Sequence, residues 1–134
     1  MSANVELVRR MFDAFASGGF AAVAEFMHPG FEGRQLASHP LAAASMSADA
    51  LARSMTGFMK SFEDFGFEAE DFADTGGDRV AVRVHERGRP RGGSVELDQR
   101  FGILYTLRDG KVFRMEWFDS FEEALAAAGT DAAG

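Results

Sequence analysis

The hydrophobic period changes once along the chain, near Phe65, and that change limits the folds available to it. Before Phe65 apolar side chains recur every three or four residues; after it they alternate. "NVELVRRMFDAFASGG" places Val5, Val8, Phe12 and Phe15 on one helical face with Met11 beside them. Ser2 or Asn4 can cap its start, and Gly18-Gly19 ends it. A shorter helix in "FAAVAEFM" carries Phe20, Val23 and Met27 and stops at His28-Pro29-Gly30. "FEGRQL" reads as a short strand and "ASHPLAAAS" as a loop, with His39 before Pro40 in a segment able to act as a lid. Ser47 then caps a helix whose stripe is Leu51, Met55, Phe58 and Phe62.

Beyond Phe65 the alternation predicts four strands, at about 65–74, 79–87, 94–107 and 112–119. Gly76-Gly77-Asp78 and "RGRPRGG" join the first three, and Asp109-Gly110 makes a two-residue hairpin turn. Ser120 and Glu123 have the spacing of a capping box for a last helix, and residues 130–134 are expected to fray. Helices segregated from antiparallel strands give an α+β class, in one domain spanning 1–134. A strongly bent, mainly antiparallel sheet wrapped around three helices, with a C-terminal helix outside, makes a cone-shaped, half-open barrel. Such a cone is a natural pocket.

Composition narrows the partners. There are 14 Phe against one Tyr and one Trp, so the interior is expected to be large and dry or to hold a greasy pocket. A net charge of −7 leaves little to neutralise phosphates, which argues against nucleic acid and anionic membrane. Without cysteine there is no disulfide and no thiolate metal site, and three scattered His make no metal signature. Neither a metal nor a cofactor is expected. No basic-then-apolar leader is visible, so the expected compartment is the cytoplasm.

The last hairpin can be read in more detail. If Asp109-Gly110 fixes a regular register, one face carries Arg100, Gly102, Leu104, Thr106, Phe113, Met115, Trp117 and Asp119. The opposite face then carries Phe101, Ile103, Tyr105, Leu107, Val112, Arg114, Glu116 and Phe118. Both faces are mostly apolar, and helices can cover only the concave one. The Tyr105 face is therefore expected to be convex and to need a partner, most simply a second copy of the chain.

The glycine pair after the first helix, "MHPGFE", "GRPRGGSVEL", "LRDGKVFR" and "FEEALAAAG" together resemble the SnoaL-like branch of the nuclear-transport-factor-2-like superfamily. The resemblance implies a cone-shaped α+β barrel, a buried pocket and often a dimer through the sheet. It also allows a residue-by-residue comparison. Met11 falls where ketosteroid isomerases have an oxyanion-binding tyrosine, Gly102 where they have an oxyanion acid, and the base falls near Arg34. Against the epoxide-hydrolase-like members, Trp117 falls at the last acid, Glu86 at the first and Val84 at the arginine. Met11 and Gly102 donate no side-chain hydrogen bond, and one acid of three is not a working set.

Glu86 follows three inward valines and is expected at the mouth of the cone, where an apolar setting would raise its pKa for acid or base work. The expected catalytic pair is Glu86 with Arg34. The expected pocket lining is Met11, Phe15, Val82, Val84, Arg100, Gly102, Leu104, Met115, Trp117 and Asp119. Arg100 and Asp119 share a face in that register and would form an ion pair or clamp a polar ligand. His85 points away from Glu86. The function expected is a hydrophobic pocket for a small, cyclic apolar molecule, with proton-transfer chemistry of isomerase, cyclase or hydratase type. The alternative is a non-catalytic binding or dimerisation module that lacks the family's catalytic residues.

Overall fold

The computed structural model describes residues 2–35, 46–93 and 95–133; the His39–Pro40 segment lies outside them. Helix α1 (Ala3–Val23) is capped by Ser2, whose hydroxyl accepts from the Val5 N–H at 3.0 Å. It is broken at Gly19, with φ 66° and ψ −159°, so the two helical segments read from the sequence are joined across a kink that favours glycine. A single turn (Ala24–Phe26) leads into strand β1 (Met27–Gln35). Helix α2 (Ala48–Lys60) starts at Ser47, which accepts from the Ala50 N–H. It ends before Phe62, which already belongs to the next strand.

Strands β2 (Phe62–Gly76), β3 (Arg79–Pro90), β4 (Leu97–Arg108) and β5 (Lys111–Phe118) form the antiparallel meander. β1 adds to its far end parallel to β5, which gives an open sheet in the order β1-β5-β4-β3-β2. The strand read at "FEGRQL" is therefore part of the main sheet. Helix α3 (Phe121–Ala133) is opened by Ser120, which accepts from the Glu123 N–H at 3.1 Å, and it continues through the residues expected to fray.

Two apolar layers flank the sheet. On the inner face Val80, Val82, Val84, Ile103, Tyr105, Leu107, Val112, Met115 and Trp117 pack against Val5, Val8 and Met11 of α1 and Leu51 of α2. On the outer face a smaller layer of Ala81, Leu104 and Phe118 lies under Ala124 and Ala128 of α3. The Ala-rich stretch of α3 matters here, because small side chains let the helix sit close to the strands.

The β4–β5 register departs from the regular one. Asp109 (φ 54°) and Gly110 (φ 72°) form the expected tight turn, and Arg108 pairs with Lys111 and Leu107 with Val112. Thr106 then pairs with Arg114, which leaves Phe113 as an extra residue in a bulge. The Phe113 ring is gripped by its neighbours. The Arg108 guanidinium lies 3.9 Å from its centroid and the His28 ring meets it edge-on at 5.2 Å. From the bulge onward, Tyr105 sits opposite Met115 and Ile103 opposite Trp117.

This one-residue step corrects the face assignment of β4. Tyr105, Ile103 and Phe101 turn inward, while Gly102 and Leu104 turn outward toward α3. Phe118 is also covered by α3. The wet apolar patch that called for a second subunit does not exist. The outer face beyond α3 is charged instead. Arg83 pairs with Asp71 at 2.6 Å, Arg87 with Glu68 at 2.9 Å, and His85 with Asp98 at 2.7 Å.

Candidate functional site

An apolar cavity of about 40 Å³ lies between the inner sheet face and the helices. Its floor is Tyr105, Met115 and Trp117, and its helical walls include Met11, Phe12 and Phe15 from α1 and Leu51 and Met55 from α2. Phe20, Val23, Met27 and Phe67 complete it. Aromatic contacts stiffen one side. Phe12 stacks on Phe67 with centroids 6.0 Å apart and meets Tyr105 edge-on at 6.1 Å. Four methionines line the rest, and their unbranched thioethers can change rotamer at low cost. A surface cleft beside His28, Pro29 and Ser47 shares Phe20, Val23, Met27 and Leu51 with the cavity, so these four separate it from solvent.

No charged side chain lines the cavity, and its side-chain polar atoms are the Tyr105 hydroxyl and the Trp117 indole N–H. Tyr105 is 1% exposed. Burial raises the phenol pKa above its ordinary 10.0. The folded chain therefore holds a proton that the unfolded chain releases in alkali. Stability from this group is complete below pH 10.0 and is lost as pH rises above it. Because Tyr105 is the only tyrosine, phenolate absorbance reports it alone. That absorbance is expected to appear together with the loss of helical circular dichroism. A phenolate signal growing around pH 10.0 in still-folded protein would contradict this burial.

The residues singled out from the sequence separate into groups. Met11, Phe15, Met115 and Trp117 line the cavity, and Val82 and Val84 lie fully buried in the same layer. Glu86 shares their face at 5% exposure. It accepts a hydrogen bond from Gln99 Nε2 at 2.6 Å and sits opposite Phe67, a cavity residue, without lining the cavity itself.

Arg34 lies on the other side of the sheet. It pairs in register with Glu116 and forms an ion pair with Glu32, whereas its neighbour Gly33 faces Trp117. Glu86 and Arg34 therefore do not meet. Arg100 is on the outer face too, where it holds Glu70 at 2.7 and 3.1 Å. That contact keeps the Glu70 carboxyl below its usual range. Asp119 is exposed past the end of β5, its N–H donating to Glu123, so no Arg100–Asp119 clamp forms. Leu104 packs under α3. Gly102 lies beneath the start of α3, where a Cβ would come within 2.4 Å of the Ser120 carbonyl oxygen. Its glycine is explained by this close approach rather than by a missing acid.

His85 is on the outer face, as its alternation with Glu86 required, with Asp98 and Glu70 as partners. His28 is occupied by the local turn. Its Nδ1 accepts from the Gly30 N–H at 2.9 Å, and its Nε2 lies 3.6 Å from Asp109. Among the described residues no three His, Asp or Glu are grouped to hold a metal, and no helix is long and apolar enough to cross a membrane. Tyr105 is the lining residue that sequence reasoning sent to the wrong face. The bulge that turns it inward has only a weak signal, an aromatic Phe113 with Arg on both sides of the turn.

The profile of the SnoaL-like domain matches residues 8–115. The chain belongs to the SnoaL-like family. None of the curated proteins matches it in sequence. Among solved structures it is similar to an NTF2-like protein from Burkholderia thailandensis, with 22% identity, a TM-score of 0.77, and 96% of this chain and 98% of that one covered. TerC, co-crystallised with polyporic acid, aligns at 21% identity and TM-score 0.72, covering 93% of this chain and 99% of the other. A protein from Catenulispora acidiphila with a ketosteroid isomerase-like fold, in complex with trimethylamine, aligns at 15% and 0.70, covering 92% of each chain. At these identities the likeness shows the fold, and this SnoaL-like chain has the NTF2-like α+β architecture.

Proposed function

We propose that this SnoaL-like protein binds a small apolar, ring-bearing molecule in the cavity under α1 and α2. The observation that carries this is the cavity wall itself, twelve side chains almost wholly of carbon around a void inside the core. Membership of a family of small-molecule-binding domains supports it. The void is smaller than the roughly 150 Å³ that admits benzene in an engineered core. A ring therefore enters only as the methionine side chains swing aside, which selects for a compact guest.

Methylenecyclohexane is a suitable probe. Titration should move the methyl resonances of Met11, Met27, Met55 and Met115 saturably and change the emission of Trp117, the only tryptophan. Linear, unsaturable shifts, or shifts confined to other methionines, would sink the proposal.

A catalytic version gives the proton to Glu86, favoured by its burial and its place opposite Phe67. Glu86→Gln would then abolish turnover while leaving probe affinity unchanged; retained turnover would leave binding alone. Arg34 has no part in this version, being across the sheet. A homodimer through the outer face would have to match its charged rows rather than bury an apolar patch.

A further inference from the structure

Strand β2 ends the sheet, with β3 on one side of it and no strand on the other. Among the described residues no backbone hydrogen bond joins β2 to any element but β3. Such an edge presents unpaired N–H and C=O groups and can template a further strand. Helix α1 runs beside the edge, and the two enclose a groove. It consists of adjoining hollows of about 270 and 430 Å³ that share Arg9, Ala69 and Phe72. Phe12 and Phe67 line the first hollow, and Ala16, exposed on α1, forms its rim. The Arg9 guanidinium lies 4.6 Å from the Phe72 centroid. Its Nε is buried without a hydrogen bond, and Glu6 stands 3.9 Å away. One side of the groove is aromatic, since Phe67 and Phe72 pack against the inner layer. The other is acidic. Glu68, Glu70 and Asp71 reach the outer face to pair with Arg87, Arg100 and Arg83, and Asp13 adds a carboxylate from α1.

We propose that the groove between α1 and β2 docks an extended segment of another protein, added to the sheet edge as a strand in which apolar side chains alternate with lysine or arginine. Pairing falls on residues 66–69, because Glu70 is an extra residue in the β2–β3 register and the bulge bends the edge there. The pleat dictates the alternation. Inward side chains of the added strand meet Phe12 and Phe67, and outward ones stand beside Glu68. Cations on the outward side complement the acidic rim. A backbone carbonyl of the segment gives the buried Arg9 N–H an acceptor. A second copy of this chain is a poorer occupant, because its β2 would set Glu68, Glu70 and Asp71 against their own counterparts. Docking here needs no ligand in the cavity.

The probe is the blocked peptide acetyl-Lys-Val-Lys-Phe-Lys-Val-amide, titrated into the full chain. Binding should saturate, shift the amide resonances of residues 66–69 more than those of β1, and slow their exchange with solvent. N-methylation of one alternate set of peptide nitrogens should weaken binding about ten-fold or more, and of the other set far less, because only one edge of the peptide faces β2. Exchanging the lysines for glutamate should weaken it by about ten-fold. Ala16→Arg, at an exposed helical position, should abolish binding while the circular dichroism and melting temperature stay those of the wild type. No saturation at millimolar peptide, equal losses from both N-methyl sets, undiminished binding to Ala16→Arg, or equal binding of the glutamate peptide overturns the assignment. A concentration-dependent dimer that Ala16→Arg disperses gives the groove to a second copy and overturns it as well.

Discussion

Replacing Gly102 by alanine is expected to lower stability by about 3 kcal/mol, near the upper end of overpacking costs. The new Cβ would meet the Ser120 carbonyl oxygen at 2.4 Å and the Phe121 Cα at 2.8 Å. Both are backbone atoms, so no side chain can rotate out of the way. The helix start must lift from β4, and Ala124 and Ala128 lose their seat on Leu104 and Ala81. Thermal melting should fall by roughly 10 °C. Amide exchange should accelerate in α3 before it does in α1. The cavity is on the opposite face, so probe affinity should be preserved at temperatures where the variant is folded. An unchanged melting temperature would mean that α3 does not pack against Gly102 as described.

Leu51→Ala is expected to cost a similar amount, about 3 kcal/mol, by deleting a side chain that is 2% exposed. Its consequences are different. Leu51 is the only fully buried residue of α2, and it belongs both to the cavity wall and to the barrier facing the surface cleft. Removing it weakens the hold of α2 on the sheet and thins the barrier together. Exchange protection should drop along Ala48–Lys60. Probe association and dissociation should both speed up, whereas Gly102→Ala should leave those rates alone. Loss of stability without faster probe exchange would place the ligand's route elsewhere.

The expected architecture and the expected site differed in how much they depend on distant contacts. Element type was legible because it follows from local periodicity. Ser2, Ser47 and Ser120 cap the helices that their positions announce. The strands begin and end within a few residues of the alternating runs. Glycine conformation was legible at Gly110, where a two-residue turn demands positive φ, and at Gly19, where the first helix breaks.

The inward side of β3 was legible as well, because Val80, Val82, Val84 and Glu86 share one parity with nothing to interrupt it. β4 was misassigned because a single bulged residue inverts the relation between two strands. Nothing in an alternating pattern that is apolar on both faces reports such a step. Phe113 leaves the ladder because His28, nearly ninety residues earlier, and Arg108 form a place for its ring.

By itself, then, the sequence determined the order and kind of the elements and the greasy interior, since both arise from neighbouring residues and from composition. Only the tertiary structure decided that Tyr105 rather than Leu104 looks into the cavity, that Arg34 and Glu86 stand on opposite faces, and that α3 rather than a second chain covers Phe118. Those outcomes depend on strand register and helix placement. Both are set by long-range packing, which no local pattern encodes.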